Sequence, residues 1–135
     1  MLSLELCGIG DTLAIWDVVD QTPFLGRVRA AFEGMGLRRD QSYHLAGRIP
    51  LFGSDHRAFA PAGVPSYALT VVPAAQAEAL RQFIFTPARS AMRFFVKRPV
   101  PFDTYHTPRD RGSTLEPAAL ALTLRALEAV IAEVA

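Results

Sequence analysis

The chain has a single cysteine, Cys7. No intrachain disulfide framework can form from it, and a cysteine-built zinc knuckle is excluded as well. A lone thiol fits a reducing compartment, which tilts the reading slightly toward the cytoplasm. An excess of either charge is also missing: 14 Lys and Arg face 13 Asp and Glu, for a net charge of +1. That balance argues against nucleic acid and against an anionic membrane surface as partners. Basic residues pair at Arg38-Arg39 and Lys97-Arg98 but form no run and flank no aromatic platform. No apolar stretch is long enough to span a bilayer. The first residues, Met1 to Glu5, hold neither a basic segment nor a signal-like apolar core. Internal repeats, low-complexity tracts and linkers are missing too.

What remains is 135 residues, half of them hydrophobic, which suits one domain with a sizeable core. Leu2-Ser3-Leu4-Glu5-Leu6 alternates apolar and polar residues and then meets Gly8 and Gly10, which predicts a short strand ending in a turn. Thr12 to Val19 predicts a second strand. Thr22 followed by Pro23 reads as an N-cap with proline in the first helical position. Phe24, Val28, Ala31, Phe32 and Met35 share one face and Gly36 ends the pattern, so a helix is expected from Pro23 to Met35. A weak strand at Tyr43 to Leu45 leads into a loop, with a short helix around His56 to Ala60. Ser66 to Val72 is a continuous apolar run between Pro65 and Pro73, as in a strand buried on both faces. Ala74 to Phe83 reads as helix, and between Phe85 and Pro101 only Phe94-Phe95-Val96 looks strand-like. In the last segment Leu120, Leu124, Leu127, Ile131 and Val134 recur at helical spacing, and Ser113 stands three residues before Glu116 as in a capping box. This stripe is expected to lie on a sheet. Strands alternating with helices predict an α/β fold with a mostly parallel sheet.

Three places concentrate reactive side chains in otherwise apolar sequence. One is Glu5, between Leu4 and Leu6. The second is Gly53-Ser54-Asp55-His56, shortly before the buried strand. The third is Tyr105-His106-Thr107-Pro108-Arg109-Asp110, before the last helix. Loops at the carboxyl ends of strands carry ligand sites in open sheets, and all three places fit such an edge. Carboxylates and imidazoles suit zinc, which activates water when one coordination position stays open. Spacing by itself defines no metal site here.

The order ELCG (Glu5 to Gly8), GSDHRAFAPAGVP (Gly53 to Pro65), YHTPRD (Tyr105 to Asp110) and then an amphipathic helix resembles the zinc aminopeptidases, a family that also includes glutamate carboxypeptidases and glutaminyl cyclases. The resemblance implies a three-layer α/β/α sandwich with a mixed sheet. It implies His106 as a late zinc ligand and Glu5 as a ligand to a second zinc or a residue beside it. Asp55 would be a carboxylate near the catalytic base, and His56 would hold its loop. Tyr105 would line the substrate pocket, and Asp110 would anchor the entry to the last helix. Glu5 replaces the family's usual aspartate and is longer by one methylene. Arg111 follows Asp110 where the family often has threonine. The family's early His-x-Asp and adjacent Glu-Glu, source of the remaining ligands and the general base, have no counterpart. Residues 1–135 are therefore expected to be a single domain, the C-terminal part of a zinc-peptidase catalytic domain. Its intact enzyme would cleave N-terminal peptide bonds of a peptide substrate with zinc as cofactor, and this chain alone would lack a complete catalytic set.

Plainer readings stand beside these. Glu5 fits a solvated strand edge. Asp55 and His56 fit loop capping. His106 fits a hydrogen-bonded loop, and His44 a structural or exposed position. Cys7 fits a small buried hydrophobe, and Trp16 and Phe94-Phe95 fit core. A non-catalytic module is the rival reading: half a sheet exposes an apolar edge, which favours a homo-oligomer or association with a missing N-terminal half.

Overall fold

A computed structural model of the protein describes residues 1–48, 54–77 and 100–135. Four strands form one sheet: β1 (Leu2–Leu4), β2 (Thr12–Trp16), β3 (Tyr43–Leu45) and β4 (Tyr67–Val72), in the spatial order β1-β4-β2-β3. β1 runs parallel to β4 with Leu2 opposite Tyr67, and β2 runs parallel to β3 with Leu13 opposite Tyr43. The central pair, β2 and β4, is antiparallel, with Thr12 opposite Val72 and Trp16 opposite Ala68. The sheet is therefore mixed, and with its flanking helices the chain is a small α/β domain. Every residue of β2 and β4 is buried, which is why both read as unbroken apolar runs.

Alternation along the strands sorts side chains to two faces. Leu13, Ile15, Tyr43, Tyr67, Leu69 and Val71 pack with two helices, α1 (Pro23–Gly34) and α2 (Pro117–Val134), in the larger core. Each fully buried large side chain there, Leu25 or Phe32 for example, contributes about 1.5–3 kcal/mol. The opposite face carries a smaller cluster of Ala14, Trp16, Ala46, Ala68, Val72 and Phe102. Buried polar residues Ser3, Thr12 and Thr70 occupy the alternate positions that share this second face.

Local chemistry sets the helix ends. Thr22 caps α1, its Oγ1 accepting from the Leu25 N–H at 3.1 Å, and Pro23 opens the helix. Gly36 follows with φ 81°, a conformation open to glycine at no cost. The capping box expected at the start of α2 does not form. Ser113 lies in a 3₁₀ turn, η3 (Gly112–Thr114), and Glu116 itself is the cap residue, without a side-chain cap bond. The Glu116 carboxylate instead accepts the Gly10 N–H at 2.9 Å, and its own N–H donates to Gly8 O at 2.8 Å. The far turn of β1–β2 is thus bound to the start of the last helix.

Two further expectations change. β2 ends at Trp16 and not at Val19, because Asp17 turns the backbone to φ 62°. The C-terminal leucine stripe does not form the contact with the sheet. Leu120, Leu124 and Ile131 are 46, 57 and 62 % exposed, while Ala119, Leu122, Thr123, Ala126 and Val130 are buried. The small residues Ala119 and Ala126 let α2 approach the sheet and α1 closely, and spacing of large side chains alone does not reveal that preference. The short helix expected near His56 is η1 (Asp55–Ala58), followed by η2 (Ala60–Ala62). Residues 74–77 are helical. The remainder of that expected helix, and Phe94-Phe95-Val96, lie outside the described residues.

Gly10 has φ 117°, and a Cβ there would stand 2.3 Å from the Val72 carbonyl carbon. Gly26, in α1, would meet nothing within 4 Å. In urea denaturation Gly10→Ala is expected to lose at least about 2 kcal/mol, whereas Gly26→Ala gains about 0.5–1 kcal/mol from helix propensity.

Candidate functional site

The second face of the sheet carries a connected polar chain. Asp17, at the end of β2, has 9 % of its surface exposed. A buried carboxylate needs a partner, and two arrive from η1. Arg57 grips it with both Nε and Nη2, the latter 2.9 Å from Oδ1. His56, 1 % exposed, places Nε2 at 2.8 Å from Asp17 Oδ2. Its Nδ1 lies 2.8 Å from Ser54 Oγ, and Ser54 Oγ donates to Glu5 Oε1 at 2.5 Å. Ser3 Oγ donates to the same Glu5 oxygen at 2.9 Å.

Proton directions follow from the groups. The Asp17 carboxylate only accepts, so the Nε2–H of His56 donates to it. In a neutral ring Nδ1 is then an acceptor. Ser54 Oγ gives its single proton to Glu5 Oε1, so its contact with His56 Nδ1 is a hydrogen bond only when Nδ1 carries a proton. Register explains how the chain crosses the sheet. Ser3 and Trp16 lie opposite Ala68 on either side, and η1 touches both β1 and β4. The small Ala68 side chain leaves room for η1 to bridge β1 and β2. The His56 ring meets the Trp16 edge, with centroids 5.7 Å apart at 77°.

The structure brings Glu5 together with the Ser54-His56 segment, residues 49 apart in sequence. Glu5 is half-buried and held by hydroxyls, in place of the solvated edge position of the plain reading. The His56 ring is tied to Asp17 at the end of β2 and lies against Ser54 of its own loop. Asp55 is exposed at the first position of η1. The third segment is a succession of turns. His106 is exposed, has φ 56°, and stacks on Tyr105 with centroids 3.8 Å apart. Tyr105 is half-buried and Asp110 is exposed, its N–H donating to Thr107 O at 3.0 Å. Arg109 pins the loop through Asp103, donating to its carbonyl at 2.7 Å. The root of this loop, Phe102, is buried in the same cluster as Trp16.

Zinc at a catalytic site takes at least three protein ligands. Among the described residues no group of three or more His, Cys, Asp or Glu side chains is placed to hold a metal ion. Glu5 Oε1 already accepts two hydroxyl bonds. The described donors therefore do not fit a zinc centre by themselves.

Sequence reasoning missed Asp17, Arg57 and Ser3. Asp17 sits inside the apolar run TLAIWDVV, and a lone acid in a run of that kind is the signal that a buried partner is required. Cys7 is only partly buried, packed against the larger core with its Sγ donating to Leu69 O at 3.3 Å. Burial pushes its thiol pKa up.

In denaturation experiments Asp17→Asn is expected to cost about 3 kcal/mol by leaving Arg57 and His56 without their carboxylate. His56→Ala is expected to cost about 2 kcal/mol, and the double variant less than the sum, since both act in one network. For Cys7, the folded pKa lies above the unfolded one. Its contribution is complete below the ordinary thiol range and declines once the pH passes about 8.5. Stability measured against pH should show that decline, and Cys7→Ala should lack it. No family model, curated protein or solved structure matches the chain.

Proposed function

We propose that the chain is part of a zinc-dependent exopeptidase of the aminopeptidase type. In this reading it contributes Glu5 and His106 to a site whose other ligands and general base lie outside it. The carrying observation is the 2.5 Å bond from Ser54 to Glu5, which joins two of the three segments that resemble that family. The third segment is rooted by Phe102 in the cluster that also holds Trp16, the residue against the His56 ring. The Ser3 and Ser54 hydroxyls fix the Glu5 carboxylate, and Asp17 with Arg57 fixes His56 behind them. This chain's own task is then orientation: it holds a carboxylate at a set angle beside a peptide substrate. A three-layer sandwich belongs to this reading, with the mixed sheet and the α1–α2 layer as two of its layers.

The donor count makes the reading testable. Calorimetric titration with zinc should give weak binding by this chain, lowered at least about fivefold by Glu5→Gln and by His106→Ala. An amino-acid p-nitroanilide should not be turned over by the chain alone. Tight uptake of two zinc ions, or zinc binding indifferent to both substitutions, contradicts the proposed ligand roles.

A further inference from the structure

The outer face of α2 is apolar where a surface helix is normally polar. Leu120, Leu124 and Ile131 are exposed and Leu127 is half-buried. Together with the buried face, apolar residues cover most of the helix circumference, a pattern that belongs to helices packed on more than one side. The four residues follow one another at spacings of four, three and four, the seam pattern of paired helices.

That spacing reads the same in both directions. A second helix of the same sequence, related by a two-fold axis and running antiparallel, would lay Leu120 on Ile131 and Leu124 on Leu127. Charge points to the same partner and the same direction. Arg125 and Glu128 are exposed on one flank of the stripe, and neither enters an ion pair among the described residues. Antiparallel pairing brings each Arg125 beside the Glu128 of the other copy, twice by symmetry. A parallel pair would turn this flank toward the opposite flank of the other copy and leave Arg125 and Glu128 without each other. We infer that the Leu120–Ile131 face of α2 is a self-complementary docking surface for a second copy of this chain, forming a two-fold antiparallel helix pair. The inference stands apart from the peptidase reading, because it uses none of the residues on the other face of the sheet.

Sedimentation velocity of the full chain, from low micromolar to several hundred micromolar, tests it. A monomer–dimer equilibrium is expected. Leu124→Glu, which alters an exposed position and should keep the far-ultraviolet circular dichroism of the parent, is expected to remain monomeric throughout. Arg125→Glu and Glu128→Arg should each weaken the dimer about tenfold, and the double exchange should restore it. A parent chain that is monomeric at every concentration overturns the inference and gives the face to another occupant. So does a dimer that survives Leu124→Glu, or a double exchange that fails to recover association.

Discussion

A carboxylate at the end of β2 sits out of water, and much of the second face is arranged around that fact. Asp17 can stay charged there only with hydrogen-bonding cations or donors close by. Arg57 and His56 meet the need, and both come from one short 3₁₀ turn. The electrostatic demand of one residue therefore fixes the position of a segment with too few residues to be stable by itself. Once η1 is fixed, Ser54 is fixed, and with it the Glu5 carboxylate on another strand. Order passes from an ion pair to a hydroxyl to a second acid, with the Trp16 ring backing the imidazole between them.

The sheet thus serves two purposes on two faces. Under α1 and α2 the side chains are large and apolar, and they supply the cohesion. On the opposite face the strands present mostly serine, threonine and alanine, with Val72 and His44 beside them, and the small side chains allow backbone and polar groups to approach. Trp16 is the largest of the strand residues there, and it forms the wall against which the His56 ring stands. A face lined this way is weak as a core and well suited to hold polar groups in fixed directions. That division favours reading the second face as the working one.

Much of this was legible in the residues. The Thr22-Pro23 start of α1, the buried run of β4 and the short β3 follow from capping, burial and strand composition, and the structure has all three. The convergence of Glu5 with the Ser54-His56 segment was suggested by motif order. Asp17 was hidden because a strand-like run concealed a backbone turn to positive φ. The orientation of α2 was hidden for a different reason. Its leucines and its alanines both recur at helical spacing, and only the shape of the neighbouring surface decides which set goes inward. Ser113 looked like a cap because local sequence cannot foresee that Glu116 would be claimed by a glycine more than a hundred residues earlier.

That long-range link has a bearing on how the molecule is made. The turn after β1 is clasped by Glu116, 106 residues further along the chain, so it cannot close before α2 exists. Until then the larger face of the sheet has no α2 over it, and Leu13, Ile15 and Leu69 remain open to unwanted contacts. Closing the domain therefore depends on a contact of high sequence separation, the kind that forms late in folding and leaves strand faces exposed until it does.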